Sequence, residues 1–150
     1  MLTLSEARRI IDGGIAKARE LRVDISIAVC DVDGRLIALN RMDGAKWDVD
    51  RGSIGKAIAA AVIGRPSEEL AERLMATRRY GAAGGKMVTP DGRRGGLPII
   101  HGDALEGACG VCGAPTNEQD EECARAGIAV LDATNWTAHK KSVNSSGIHV

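Results

Sequence analysis

Arginine is the side chain best suited to holding a carboxylate, because its planar guanidinium meets both oxygens at once. Between positions 78 and 94 the chain places Arg78, Arg79, Lys86, Arg93 and Arg94 against one acid, Asp91. If buried, each charge-assisted bond there contributes ~1.5 to 3 kcal/mol to holding an anion. Arg41 joins the cluster if the hairpins bring it near. The alternative is a solvated loop whose charges only keep the surface soluble. Gly95 and Gly96 follow directly, and bare backbone N–H groups let a ligand approach with no Cβ in the way, although a tight entry into a strand uses the same pair.

Ser53 and Lys56 lie three apart, on one face of a predicted helix beside Ile54, Ala57 and Ile58. A lysine desolvated at such an edge serves as a proton-transfer group or a Schiff-base nucleophile. In the plainer alternative its stem covers the core and its ammonium stays in water. Cys109 and Cys112 spell Cys-x-x-Cys, but three residues apart on a strand they face opposite sides of the sheet, which excludes a shared metal or a disulfide. Cys112 alone can line a pocket, and Cys123 is expected to pack. His101, His139 and His149 are scattered. His101 offers a proton-transfer group or a haem ligand, against the default of a solvated turn histidine. Neither Gly-x-Gly-x-x-Gly, Gly-x-x-x-x-Gly-Lys-Ser/Thr nor His-Glu-x-x-His is present.

Composition narrows the classes further. With 20 basic and 20 acidic residues among 150, the chain has no formal net charge, so the broad field of a nucleic-acid binder is missing. Trp47, Tyr80 and Trp136 are the only aromatics and there is no Phe, which leaves no base-stacking platform. The longest apolar run, Ala57 to Ile63, is far short of the ~18 residues that span a bilayer. No membrane or nucleic-acid partner is expected, and the four cysteines read as reduced thiols in a cytoplasm. With 22 Ala and 19 Gly, the core must form by close approach of backbones, and self-association would add burial.

The elements that position these residues follow from periodicity. Leu4, Ala7, Ile10, Ile11, Ile15, Ala18 and Leu21 predict a helix over 4–21, opened by the capping box Thr3-Leu-Ser-Glu6. Residues 25–31 and 36–40 predict a hairpin about Asp33-Gly34. Ile54 to Val62 predicts a second helix ending at Gly64, with a restart from Ser67 to about Ala76. Residues 77–96 form a long loop, with a short strand at Lys86 to Thr89. Leu97 to His101 and Leu105 to Ala114 predict a second hairpin, and Thr116-Asn-Glu-Gln119 opens a last helix to about Ala133. The order implies an α+β domain, an antiparallel sheet with helices packed on it, over residues 1–134. Residues 135–150 read as a polar tail or an arm on a neighbouring subunit.

Several blocks carry a resemblance: Arg41-Met-Asp-Gly-Ala45, Ser53, Lys56-Ala57, Gly64-Arg-Pro-Ser67, Gly95-Gly-Leu-Pro-Ile99, Gly107 to Ala114, Asp120-Glu-Glu-Cys-Ala124 and Ala126-Gly127. In this order they resemble the GlcG/HbpS-like family, which includes the C-terminal domain of PduO-type cobalamin adenosyltransferases. The resemblance implies a profilin-like or PAS-like fold in homo-oligomers, with Gly95-Gly96 on a pocket rim. Together with the basic loop it implies a cofactor-independent enzyme or binding accessory of catabolism acting on a small anionic organic molecule. Its chemistry would be proton transfer, tautomerisation or hydration. Arg41, Arg93 and Arg94 would orient the acid, with Ser53, Gly95, Gly96 and Cys112 around it, and Lys56 or His101 would move the proton. The alternatives are a haem-binding or haem-handling protein and a non-catalytic structural oligomer.

Overall fold

Thr3 and Glu6 satisfy each other's backbone donors and start α1 (Leu4–Leu21), which ends where Arg22 enters the left-handed region at φ 60° and its N–H returns to Ala18 and Arg19. In this computed structural model residues 1–73, 82–83, 86–87, 89–131 and 136–138 are described, with backbone only at 71–73, 82–83, 86–87 and 136. β1 (Ser26–Asp31) and β2 (Leu36–Arg41) form the first hairpin. Asp31 Oδ1 accepts the N–H groups of Asp33 and Arg35 and so fixes its turn. α2 (Val49–Ile63) ends at Gly64, φ 65°, and a short 3₁₀ helix follows (Ser67–Arg73). β3 (Ala82–Ala83) and β4 (Lys86–Met87) pair with each other. β5 (Gly96–His101) and β6 (Ala104–Cys112) form the second hairpin, before α3 (Asn117–Ala129) and β7 (Trp136–Thr137).

The main sheet is antiparallel in the order β2-β1-β6-β5-β7. This is the α+β architecture expected from the element order. Side chains alternate across its faces. Ile27, Val29, Leu97, Ile99, Cys109 and Val111 build the larger core with α1 and α3. On the opposite face Ala28, Cys30 and Ala108 pack against Ala57, Ala60 and Ala61 of α2. Gly110 brings α2 down onto the sheet, since a Cβ there would run into the backbone of Ser53 and Ala57. Small residues thus let backbone meet backbone on this layer, and Gly13, Gly14 and Gly127 do the same where α1 meets α3. The branched aliphatic residues fill the core between those two helices and the sheet.

Several boundaries differ from the sequence reading, among them the start of α2 at Val49 rather than Ile54 and the end of β4 at Met87 rather than Thr89. The restart after Gly64 is a 3₁₀ turn ending at Arg73, and Leu74 to Ala76 lie outside the described residues. β6 stops at Cys112 because Gly113, at φ 120°, turns the chain towards α3. α3 ends at Ala129, four residues before Ala133. Within 135–150, Trp136 and Thr137 add a strand to β5 of their own chain, opposite His101 and Ile100. That pairing extends no further along β5 in the described residues. Next along the edge, Pro98 has no N–H to donate, and the Gly96 N–H is already given to Ser67 Oγ at 2.8 Å. No helix among the described residues is long and apolar enough to cross a membrane.

Candidate functional site

The predicted chemistry converges on one end of the sheet, where β6 finishes, β5 begins and α2 crosses. Lys56 is fully buried. Its Nζ donates to the Val111 carbonyl at 2.9 Å and to Asp120 Oδ2 at 3.1 Å. Asp120 Oδ1 accepts the Ala114 N–H at 2.9 Å. Since α2 and α3 lie on opposite faces, the lysine passes the end of the sheet, where β6 finishes and β5 begins, to reach its partner. Gly95 makes the passage: it sits at φ 136°, and a Cβ there would stand 2.8 Å from Lys56 Nζ and 2.7 Å from the Val111 oxygen. Burial pushes the Asp120 carboxyl above its ordinary range, against the opposing pull of Lys56. A lysine held this way has its ammonium engaged and no path to solvent. The placement therefore does not support the proton-transfer or Schiff-base role expected for it.

Ser67 staples the segment that follows. Its hydroxyl donates to the Arg93 carbonyl at 2.6 Å and accepts from Gly96 N. Asp91 N donates to the Gly55 carbonyl at 2.9 Å, which seats the 89–91 segment on α2. From this anchored stretch the two arginines diverge. Arg93 turns to Asp91, with Nε 3.1 Å from both carboxylate oxygens and Nη2 2.6 Å from Oδ2. Its Nη2 also lies 3.9 Å from Cys112 Sγ. Arg94 turns to α3, where Nη2 donates to Glu121 Oε1 at 3.2 Å and Nη1 is 3.6 Å from Glu118. The sequence reading made both guanidiniums receptors for one anion. In the structure they face different layers and both hold carboxylates of the chain itself.

Ser53 is buried and donates to the Asp50 carbonyl at 2.8 Å. Its single proton is thus committed, so Ser26, 3.0 Å away, donates to Ser53. Ser26 pairs across the sheet with Arg41 on one side and Cys112 on the other. That rung brings Arg41 to the same end, exposed, with Nη1 on the Ala45 carbonyl at 3.2 Å. Ala45, Val49 and Cys112 form a small cluster beside it. Burial raises the Cys112 thiol, outweighing Lys56 and Arg93, which act in the opposite direction. Cys109 lies on the other face, as its spacing from Cys112 predicts, and all four cysteines are free thiols. His101 is not part of this group. It is exposed at the far end of β5, about 17 Å along the strand from Gly96.

Two members of the group were not singled out from sequence as site residues. Asp120 entered within the Asp120-Glu-Glu-Cys-Ala124 block of the resemblance, and Asp91 only as the counter-charge of the basic loop. Neither has a local signal separating it from an ordinary turn or helix acid. Asp120 acquires its partners from residues distant in sequence, whereas Asp91 bonds its near neighbour Arg93 and is seated by its N–H on Gly55 of α2.

A family model described as haem degrading protein HbpS-like matches residues 2–129. The chain belongs to the HbpS-like family. A Citrobacter freundii relative, known as an uncharacterised 15.0 kDa protein in the dhaT-dhaS intergenic region, is 31% identical over 123 residues, covering 79% of this chain and 84% of that protein. The crystal structure of a Streptomyces reticuli HbpS double mutant is 32% identical and superposes with a TM-score of 0.71, covering 87% of this HbpS-like chain and 86% of that one. Klebsiella pneumoniae ORFY gives a TM-score of 0.75 at 26% identity, covering 87% and 90%. The PduOC:heme complex, at 23% identity and a TM-score of 0.73 over 93% and 99%, shares the fold.

Proposed function

We propose that this HbpS-like protein binds a small organic acid through a carboxylate at the Arg93 end of the sheet, in support of proton-transfer chemistry on that acid. One observation carries the reading. Arg93 is half-exposed, at 56%, while the Lys56–Asp120 pair at the same end is buried, and its Nη1 donates to no described residue. A guanidinium with one edge on Asp91 and the other open has the geometry to take a carboxylate. Arg41 adds a second exposed cation to this end, and Cys112 with Ala45 and Val49 supplies apolar surface beside it. Homo-oligomerisation belongs to the same proposal, and light scattering should give a mass above the 15.7 kDa of one chain.

Ligand-observed NMR against short monocarboxylates, 2-oxo acids and ring-cleavage acids tests binding. The expected result is saturable binding that Arg93→Gln weakens roughly tenfold or more. Binding unchanged in Arg93→Gln, or absent for the whole panel, would count against the site.

The second reading is haem, favoured by the family description and by 32% identity to HbpS. The described residues do not fit a haem held by a buried protein ligand. Their single histidine, His101, is exposed at the far end of β5. The cysteines are buried with raised thiol pKa values, and Met42 Sδ accepts the Ile25 N–H at 3.4 Å. His139 and His149 lie outside the described residues. Haemin titration decides the matter: a sharp Soret shift lost in His101→Ala or His139→Ala favours haem, and a broad band indifferent to both variants counts against it.

A further inference from the structure

We propose that Asp91 is the proton acceptor of this site, placed beside the acid when an incoming carboxylate takes the Nη1–Nη2 edge of Arg93. The assignment rests on the acid-binding reading above and names the group that would act on the bound acid.

Proton transfer needs a group that is within reach of the ligand and in its basic form. Of the groups gathered here, Lys56 has no exposure and its ammonium is bound by Val111 and Asp120. Asp120 is 2% exposed, with one oxygen on Lys56 and the other on Ala114 N. The Cys112 thiol is kept protonated by burial. Glu121 is held between Arg94 and Arg125. Asp91 differs from all of these. Its side chain is 19% exposed, and the residue bonded to it is the half-exposed Arg93.

The bond geometry couples the two events. Asp91 holds Arg93 by Nε and by the 2.6 Å contact from Nη2 to Oδ2. Nη2 carries a second N–H, on the side of Nη1, so a ligand carboxylate accepted there by Nη1 and Nη2 lies next to Oδ2 while the Nε and Nη2 bonds keep Asp91 in place. Burial pushes the Asp91 carboxyl up, and the Arg93 hydrogen bonds more than offset it, so the free protein holds a weak base. A second carboxylate on the same guanidinium shares its positive charge and repels that of Asp91, and both effects raise the basicity of Asp91 when the ligand is present. In the step itself the C–H bond next to the ligand's carbonyl breaks and the proton passes to Asp91 Oδ2. The C–H electron pair forms the new C=C bond, and the carbonyl π pair moves to oxygen, giving the enolate. Return of a proton to carbon completes the exchange with no net oxidation.

Hydrogen–deuterium exchange at C3 of pyruvate and 2-oxobutyrate in D₂O, followed by proton NMR, reads this step directly. Wild-type protein should accelerate exchange over buffer. Asp91→Asn should reduce the acceleration by ~100-fold or more and bind the same acids at least as tightly, while remaining folded at the assay temperature with a somewhat lower thermal transition. Asp91→Glu, which restores a carboxylate, should recover part of the rate and supplies the comparison should Asp91→Asn not fold. Binding by wild type without exchange, or exchange that persists in Asp91→Asn, overturns the role of Asp91 and leaves the binding reading intact. Absence of binding by wild type overturns both.

Discussion

Lys56 Nζ and Asp120 Oδ2 lie 3.1 Å apart, both essentially without solvent exposure, and their bond joins the helix on one face of the sheet to a helix on the other. Desolvation costs several kcal/mol per ion, so such a pair persists only where further bonds complete it. Here the Val111 carbonyl and the Ala114 N–H do so. The pair therefore fixes where α2, the end of β6 and the start of α3 meet, and with them the floor beneath Arg93.

Removing one partner should expose this dependence. Lys56→Met or Asp120→Leu alone strands a buried polar or charged group and should destabilise the protein by ~3 to 5 kcal/mol. The double variant should recover most of the loss. A chemical-denaturation cycle measures the coupling, and single-variant losses below ~1 kcal/mol would show that the pair is solvated.

Gly95 should not tolerate alanine. At φ 136° an L side chain is strained, and the new Cβ would collide with the Val111 oxygen and the Lys56 ammonium. Gly95→Ala should cost about 2 kcal/mol or more. Gly92→Ala meets only the Leu70 side chain, at 3.3 Å, and should cost less. Paired melting curves check the order.

Asp91 should contribute to acid stability in a defined direction. Its folded carboxyl lies below the ordinary range, so its contribution is present above the unfolded value of ~3.9 and is lost as pH falls through the folded value. Urea midpoints of wild type and Asp91→Asn should differ at pH 7 and converge in acid. Asp120, raised by burial, acts in the opposite sense, since its ionisation at higher pH costs folding energy.

The thiols should be silent in the native state. Burial pushes Cys30 and Cys123 up to about 12 and raises Cys109 as well. A thiol reagent at pH 8 should therefore find these three unreactive until the protein unfolds, with Cys112 slow. Denatured protein purified without oxygen should titrate four thiols.

The sequence by itself determined the element order, the two hairpins, the capped ends of α1 and α3 and the opposition of Cys109 to Cys112. Each follows from short-range rules: periods of 3.6 and 2, capping residues three apart, and Asp-Gly at a turn. It also grouped Arg41, Ser53, Lys56, Arg93, Gly95 and Cys112 as candidates, and these meet at one end of the sheet. What it left open was the partner of each charge. Arg93 and Arg94 are neighbours in sequence, yet one turns to Asp91 and the other to Glu118 and Glu121, 24 and 27 residues further on. Lys56 finds its carboxylate 64 residues away, and His101 ends up at the opposite end of the strand that begins at Gly96. Ion pairing depends on distances set by how layers stack, and neither composition nor periodicity encodes them. Only the tertiary structure decided that the lysine is sealed and that the arginine beside Asp91 remains within reach of solvent.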